Sequence, residues 1–174
     1  DAKAFNIHSW IDDKGEDQRA SGDGVSIFDP TLTELAYRWF CPTGGQVIDP
    51  FAGGSVRGIV AALLGYRYWG CDLRPEQIAA NEEQATVICN GTRPTWVCGD
   101  ALDAVANAPP ADFIFSCPPY FNLERYSDDP RDLSAMADEA FLWTFSKIVS
   151  ACVGRLRTDR FACFVVGDVR AQSG

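Results

Sequence analysis

Hydrophobic positions along the chain fall into short apolar runs separated by longer stretches with helical spacing. Short apolar runs bounded by turn residues are typical of buried β-strands, and they lie at 46–49, 66–71, 95–98, 112–117 and 161–166. The stretches between them predict helices at 55–64, 75–89 and about 133–156. Because strands that alternate with helices form βαβ units, we predict an α/β fold with a mostly parallel sheet and helices on both faces.

A further helix is predicted ahead of the first strand. Asp29 is a good N-cap residue and Pro30 suits the first helical position. Leu32, Leu35 and Trp39 then follow at helical spacing. By contrast, residues 12–24 are polar, acidic and contain glycine, so we expect 1–25 to be a mobile N-terminal segment and 26–174 to be one ordered domain.

Composition is that of a globular protein, with 47% hydrophobic and 22% charged residues in a chain of 174. No run is long enough for a membrane span and no signal peptide opens the chain, so we expect a soluble, cytoplasmic protein. The seven cysteines form no CxxC pair and there is one histidine, so no metal site is expected. We interpret the cysteines as reduced thiols that serve as small core residues.

The charge distribution gives little sign of a nucleic-acid-binding face. The formal net charge is −9, whereas proteins that neutralise phosphates usually display a basic surface. The most basic stretch, "GRLRTDR", contains Arg155, Arg157 and Arg160. We interpret it as a helix C-terminus whose cations suit the helix dipole.

The residues after each predicted strand are the informative ones, because parallel sheets bind ligands beyond the carboxyl ends of their strands. The glycine-rich stretch "DPFAGGSVRG" follows the first strand, and Asp72 ends the second. Asp72 comes 72 − 49 = 23 positions after Asp49, near the spacing at which an acid binds ribose hydroxyls in nucleotide-binding folds. Asp100 ends the third strand, and "SCPPY" ends the fourth. Each feature alone has a purely structural explanation, but their order on consecutive strands favours a ligand site.

Four stretches together, "VIDPFAGGSVRG", "GCDLRPEQ", "CGDAL" and "FSCPPY", resemble the class I S-adenosylmethionine-dependent methyltransferases that act on exocyclic amino groups. The resemblance covers about residues 26 to 126 and is strongest for the adenine-N6 and cytosine-N4 DNA enzymes. It implies a Rossmann-like fold, S-adenosylmethionine as cofactor, and DNA with a base turned out of its helix as partner. Adenine and cytosine both stay open as targets, and a bacterial or phage-infected cell is the setting that fits.

The resemblance also implies which residues bind the cofactor. The glycine loop would line the methionine end, Asp72 would take the ribose hydroxyls, and Asp100 would accept from the adenine amino group. The full set of implied cofactor-binding residues is Phe28, Thr31, Asp49, Pro50, Phe51, Gly53, Gly54, Asp72, Leu73, Asp100 and Ala101.

The implied catalytic residues are Cys117, Pro118, Pro119 and Tyr120. Consecutive prolines fix the backbone, so the carbonyl of Pro118 would accept a hydrogen bond from the target amine. Tyr120 would stack on the flipped base.

Two positions depart from the family pattern. Cys117 stands where Asp, Asn or Ser is usual, and a thiol is a weak acceptor. Ser116 or the Pro118 carbonyl would then take over its role; a reactive-cysteine mechanism like that of cytosine-C5 enzymes fits less well, because that nucleophile follows a proline. Ser55 occupies the place of the last glycine of the loop.

Other functions stay open. RNA guanine-N2 methyltransferases share this motif order, and release-factor glutamine methyltransferases use Asn-Pro-Pro-Tyr, although the DPF form favours a nucleic acid. A non-catalytic cofactor-binding domain or regulatory subunit is a further alternative. About 60 residues separate the loop from the PPY motif, too few for a target-recognition domain. A complete fold of the family that the chain resembles has seven strands, so we expect the last strands and any recognition module to be missing, or a partner subunit to supply recognition.

Overall fold

The structure, a computed structural model, describes residues 27–119 and 125–167. The expected mobile segment 1–25 and the implied catalytic residue Tyr120 lie outside these ranges, so both stay predictions.

Five parallel strands form one sheet, as the alternation of elements predicted. Their order across the sheet is β3-β2-β1-β4-β5, and every neighbouring pair is parallel. The strands are β1 (Gln46–Asp49), β2 (Arg67–Asp72), β3 (Thr95–Cys98), β4 (Ala111–Ser116) and β5 (Leu156–Phe164).

Helices cover both faces of this sheet. They are α1 (Pro30–Phe40), α2 (Val56–Leu63), α3 (Pro75–Ile88), α4 (Ala101–Ala104) and α5 (Asp138–Arg155), with 3₁₀ turns at Val105–Asn107 and Leu133–Ala135. The predicted start of α1 is confirmed, since the Asp29 carboxylate accepts from the backbone N–H groups of Thr31 and Leu32. In the part of the chain that the structure describes, no helix has the length and apolar character needed to cross a membrane.

The core divides into two layers because neighbouring residues of each strand point to opposite faces. Val47 and Phe113 pack with α1, α2 and α3, whereas Ile48 and Ile114 pack with α4 and α5. None of the seven cysteines, all of which lie in the described ranges, forms a disulfide, and four of them are buried: Cys41, Cys71, Cys89 and Cys152. Their interpretation as small core residues is confirmed for these four, while Cys98 is exposed.

The prediction for the segment 133–156 was only partly right. A 3₁₀ turn capped by Asp132 ends at Ala135, and α5 starts afresh at Asp138. The residues between them, Met136 and Ala137, have extended backbone conformations, which interrupt the helical hydrogen bonds.

The interpretation of "GRLRTDR" was wrong for two of its arginines. Arg155 lies in the last turn of α5, but Arg157 and Arg160 belong to β5, which starts at Leu156 rather than at 161. A bulge explains the early start: Ala111 pairs with Leu156 and Phe113 with Phe161, so β5 carries extra residues. Arg157 lies in this bulge, and its Nη1 is 2.7 Å from Oδ2 of Asp112.

Candidate functional site

The predicted site residues gather at the carboxyl edge of the sheet. β1 lies at the centre, with β2 on one side and β4 on the other, so the chain reverses its direction of travel across the sheet here. Such a switch point leaves a crevice beyond the strand ends, where α/β proteins bind ligands.

The glycine loop faces open space at this crevice. Gly53 has φ +49°, a left-handed conformation that favours glycine. A Cβ atom built on Gly53 or on Gly54 would meet no heavy atom within 4 Å. A ligand can therefore approach the loop backbone closely.

Asp72 lies directly against this loop. Its Oδ2 accepts a hydrogen bond of 3.1 Å from the Gly53 N–H, and its Oδ1 accepts one of 2.9 Å from the Arg74 N–H. Burial raises the pKa of the Asp72 carboxyl above its usual value, although these two N–H groups and the Arg74 charge oppose the shift. The structure thus brings together the acid and the loop that the sequence placed 19 residues apart.

Asp100 lies on the neighbouring strand end. The registers of β2 and β3 pair Asp72 with Cys98, and the Gly99 N–H donates to the Asp72 carbonyl at 2.9 Å. The Asp100 carboxylate caps α4 by accepting from the Leu102 N–H at 2.9 Å. Leu73, next to Asp72 in the chain, is half-buried, and Ala101, next to Asp100, is buried. Both acids therefore sit on one side of the crevice.

The turn after β4 lies on the other side of β1. Cys117 and Pro119 are half-buried, and Pro118 is buried. The Cys117 Sγ lies 4.0 Å from the Pro118 carbonyl oxygen. Since hydrogen bonds span about 3 Å, one amino group could contact both atoms at once.

Asp49 organises the turn from inside the protein. Its side chain is fully buried, and its Oδ2 accepts from Arg57 Nε at 2.6 Å and from the Tyr68 hydroxyl at 2.7 Å. Its Oδ1 accepts from the Ser116 hydroxyl and from the Phe51 N–H at 3.2 Å. The carboxylate therefore holds the loop in shape, while its implied contact with the cofactor stays a prediction. Pro50, next in the chain, is likewise buried.

Ser116 is placed differently from the expectation that its hydroxyl replaces Cys117. Its side chain is fully buried and its hydroxyl is engaged with Asp49 and with the Phe51 N–H. The structure thus contradicts a role for this hydroxyl as the acceptor of a target amine. The Pro118 carbonyl and Cys117 are left for that role.

Arg57 was missed by the reasoning from sequence. It is 4% exposed, and its Nη2 donates to the carbonyls of Phe51 at 2.7 Å and Ala52 at 3.0 Å. The Phe28 ring lies over its guanidinium, 4.5 Å from Cζ to the ring centroid. A charged residue in the apolar helix sequence "VRGIVAAL" was the available signal. Thr31, implied near the cofactor with Phe28, is exposed in the first turn of α1.

One face of α3 was missed as well. The Asn81 side chain is 1% exposed, and its amide donates to the Gly53 carbonyl at 2.7 Å. Gln77 donates to Asn81, and the Ser55 hydroxyl donates to Gln84. The three α3 residues are spaced by four and three positions, which places them on one side of the helix. Ser55, which departs from the family pattern, thus makes a contact that glycine could not.

No cluster of three or more metal-binding side chains occurs within 27–119 and 125–167.

Several solved structures share this architecture. The chain is similar to TrmN from Thermus thermophilus, with a TM-score of 0.62 and 17% identity over 84% of this chain and 40% of that one. It is similar to a SAM-dependent methyltransferase from Agrobacterium tumefaciens, with a TM-score of 0.60 and 16% identity over 86% and 48% of the two chains. An rRNA methylase from Streptococcus thermophilus gives a TM-score of 0.56 and 10% identity over 80% and 71%.

These likenesses define the fold, which is the Rossmann-like fold of class I methyltransferases. The chain spans less than half the length of the first two structures. No protein-family model matches the chain, and no curated protein sequence is significantly similar to it.

Proposed function

We propose that this chain is the catalytic domain of an S-adenosylmethionine-dependent methyltransferase that modifies an exocyclic amino group of a nucleic-acid base. The observation that carries the proposal is the meeting of two features at one sheet edge. An open glycine loop bonded to Asp72 lies beside β1, and a Cys-Pro-Pro turn follows the adjacent strand β4.

The residues present fit such a cofactor. The space around Gly53 and Gly54 admits the amino-acid end of a ligand against the loop backbone. Asp72 and Asp100 offer carboxylates at neighbouring strand ends, which suits the hydroxyl and amino groups of adenosine. Bound here, S-adenosylmethionine supplies an electrophilic methyl group on a sulfonium.

The chain's own contribution is orientation and hydrogen bonding. The target nitrogen is conjugated with its ring and is a poor nucleophile. Acceptors on its two protons, the Pro118 carbonyl and Cys117, localise its lone pair. Correct alignment of the nitrogen with the methyl group supplies much of the remaining rate acceleration.

DNA is our first choice of substrate, with adenine N6 or cytosine N4 as the target. The support is the pairing of a DPF-type loop with a Cys-Pro-Pro-Tyr stretch in the sequence. A separate domain or partner subunit would recognise the target sequence.

RNA is the second choice, with guanine N2 as the target. Its support among the similar structures is the one from Streptococcus thermophilus, which is an rRNA methylase.

Calorimetric titration with S-adenosylmethionine tests the cofactor site. We expect binding by the wild-type protein and at least about tenfold weaker binding by Asp72→Ala, because a charge-assisted hydrogen bond contributes roughly 1.5–3 kcal/mol. Asp138→Ala, which alters an exposed acid in the first turn of α5, is the control and should bind normally. Absence of wild-type binding at protein concentrations that detect a dissociation constant of about 100 μM would contradict the proposal.

Transfer of a labelled methyl group then separates the two substrates. Unmethylated plasmid DNA and total RNA from cells lacking their own methylation would be offered in parallel. Label in DNA supports the first choice, and label in RNA alone supports the second. Label in neither, from a protein that binds the cofactor, would argue for a non-catalytic domain.

A further inference from the structure

One buried hydrogen bond joins the two halves of the candidate site, which are the glycine-loop turn after β1 and the Cys-Pro-Pro turn after β4. Ser116 is the last residue of β4 and directly precedes Cys117. Its hydroxyl donates to Asp49 Oδ1 and accepts from the Phe51 N–H at 3.2 Å. The glycine-loop turn and the Cys-Pro-Pro turn, 67 residues apart in sequence, are thus linked side chain to side chain.

The other bonds of Asp49 serve a different purpose. Arg57 lies on α2 and Tyr68 on β2, and both contact Oδ2. Those elements belong to the side of the site that holds the glycine loop and Asp72. Within the described residues, the Ser116 hydroxyl provides the side-chain hydrogen bonds between the Asp49 turn and β4, in addition to the backbone pairing of β1 with β4.

We infer that Ser116 is a positioning residue that sets the distance between the methyl donor and the acceptors of the target amine. The inference rests on the proposed function. Ser116 touches neither cofactor nor substrate, since its side chain is fully buried. It acts through Asp49 and Phe51 on the loop, and through the chain on the carbonyl of Pro118.

A positioning role has a kinetic signature. A misplacement of about 1 Å can cost roughly a hundredfold in rate. Cofactor binding depends instead on Asp72 and the glycine loop. When the Ser116 hydroxyl is removed, the Phe51 N–H keeps its hydrogen bond to Asp49. Ser116→Ala should therefore lower kcat about ten- to a hundredfold and leave cofactor affinity within about threefold of wild type.

The first test needs no substrate. Iodoacetamide is added to the ligand-free protein, and alkylation of each thiol is followed by mass spectrometry. We expect Ser116→Ala to raise the rate at Cys117 about two- to tenfold, the effect of one ordinary hydrogen bond on a local opening equilibrium. The rates at exposed Cys98 and buried Cys152 should stay unchanged.

Ser150→Ala is the matched control, because the Ser150 hydroxyl bonds only within α5, to the Ser146 carbonyl at 2.8 Å. An unchanged Cys117 rate in Ser116→Ala would overturn the inference. A parallel rise at all thiols would do the same, since it would indicate general loosening. If Ser116→Ala fails to fold, Ser116→Cys keeps the volume with a weak donor, and tandem mass spectrometry distinguishes positions 116 and 117.

The second test measures methyl transfer to the substrate found above. A fall in kcat at constant cofactor affinity supports positioning, whereas a loss of affinity equal to the loss of rate contradicts it. A wild-type protein that binds cofactor but methylates nothing would count against the proposed function. The alkylation result would then still decide whether Ser116 couples the two turns.

Discussion

The Asp49 carboxylate accepts four hydrogen bonds while it is shielded from water. Burying a charge is costly unless it is paired and fully hydrogen-bonded, and Arg57 provides the pairing. The sequence motif marked Asp49 as a site residue, but three of its four donors come from α2, β2 and β4. Spacing along the chain carries no information on such contacts, so its role inside the protein could not be predicted.

Removing one donor to Asp49 should cost stability. We expect Tyr68→Phe to destabilise the protein by about 1–3 kcal/mol, because the buried Asp49 carboxylate loses a hydrogen bond of 2.7 Å. Tyr66→Phe is the control: this side chain is also buried, but its hydroxyl makes a longer bond of 3.3 Å to a neutral carbonyl. We expect a loss of less than about 1 kcal/mol there. Urea unfolding of both variants measures the difference, and equal losses would contradict the importance of the Asp49 contact.

Among the elements, the first four strands were predictable because apolar runs end at Gly, Pro or Asp. β5 was predicted to start five residues too late, since its first half is exposed and carries arginines rather than alternating apolar residues. α4, with four residues, is too short to show a helical period. The close approach of Trp96 to Gly58 could not be predicted from any sequence pattern: a Cβ atom at position 58 would lie 2.5 Å from Cζ2 of Trp96 on β3.

For α2, this contact reverses the usual effect of replacing glycine in a helix. Alanine normally stabilises a helix interior by about 1 kcal/mol relative to glycine. Gly58→Ala should instead destabilise by about 1–3 kcal/mol, because the ring of Trp96 must move in a packed core. Gly154→Ala in α5 has open space around the new methyl group and should be neutral or stabilising. Thermal unfolding compares the two variants; a stabilised Gly58→Ala would show that Trp96 moves freely.

Across the whole molecule, the alternation of elements predicted a mostly parallel sheet with helices on both faces, but not how β5 is attached to this sheet. Asp112 on β4 accepts from the Gln46 N–H of β1 at 2.9 Å and from Arg157 of β5 at 2.7 Å. Arg160 lies 3.5 Å from the same carboxylate. The bulge of β5 presents both arginines, and a bulge of this kind leaves no period in the sequence.

This contact makes stability depend on pH. Burial alone would raise the pKa of Asp112, but the Gln46 N–H and the two arginines outweigh it and lower the pKa below its usual value. The stabilisation is therefore complete above the unfolded-state pKa of about 3.9, and is lost as pH falls through the lower folded-state pKa. The free energy of unfolding should fall in this acidic range more steeply for wild type than for Asp112→Asn. Asp128→Asn, at a fully exposed acid, should follow wild type; identical slopes for all three would contradict the link.

The bond between Ser116 and Asp49 also has a consequence for the order of folding. Closing a loop of 67 residues costs about 4 kcal/mol of chain entropy by the (3/2)RT ln n relation. The pairing of β1 with β2 needs only a short crossover through α2 and can form first. A nascent chain that has reached β3 but not β4 holds the glycine loop without its Ser116 donor. The two halves of the site are therefore completed in one step, when β4 takes its place beside β1.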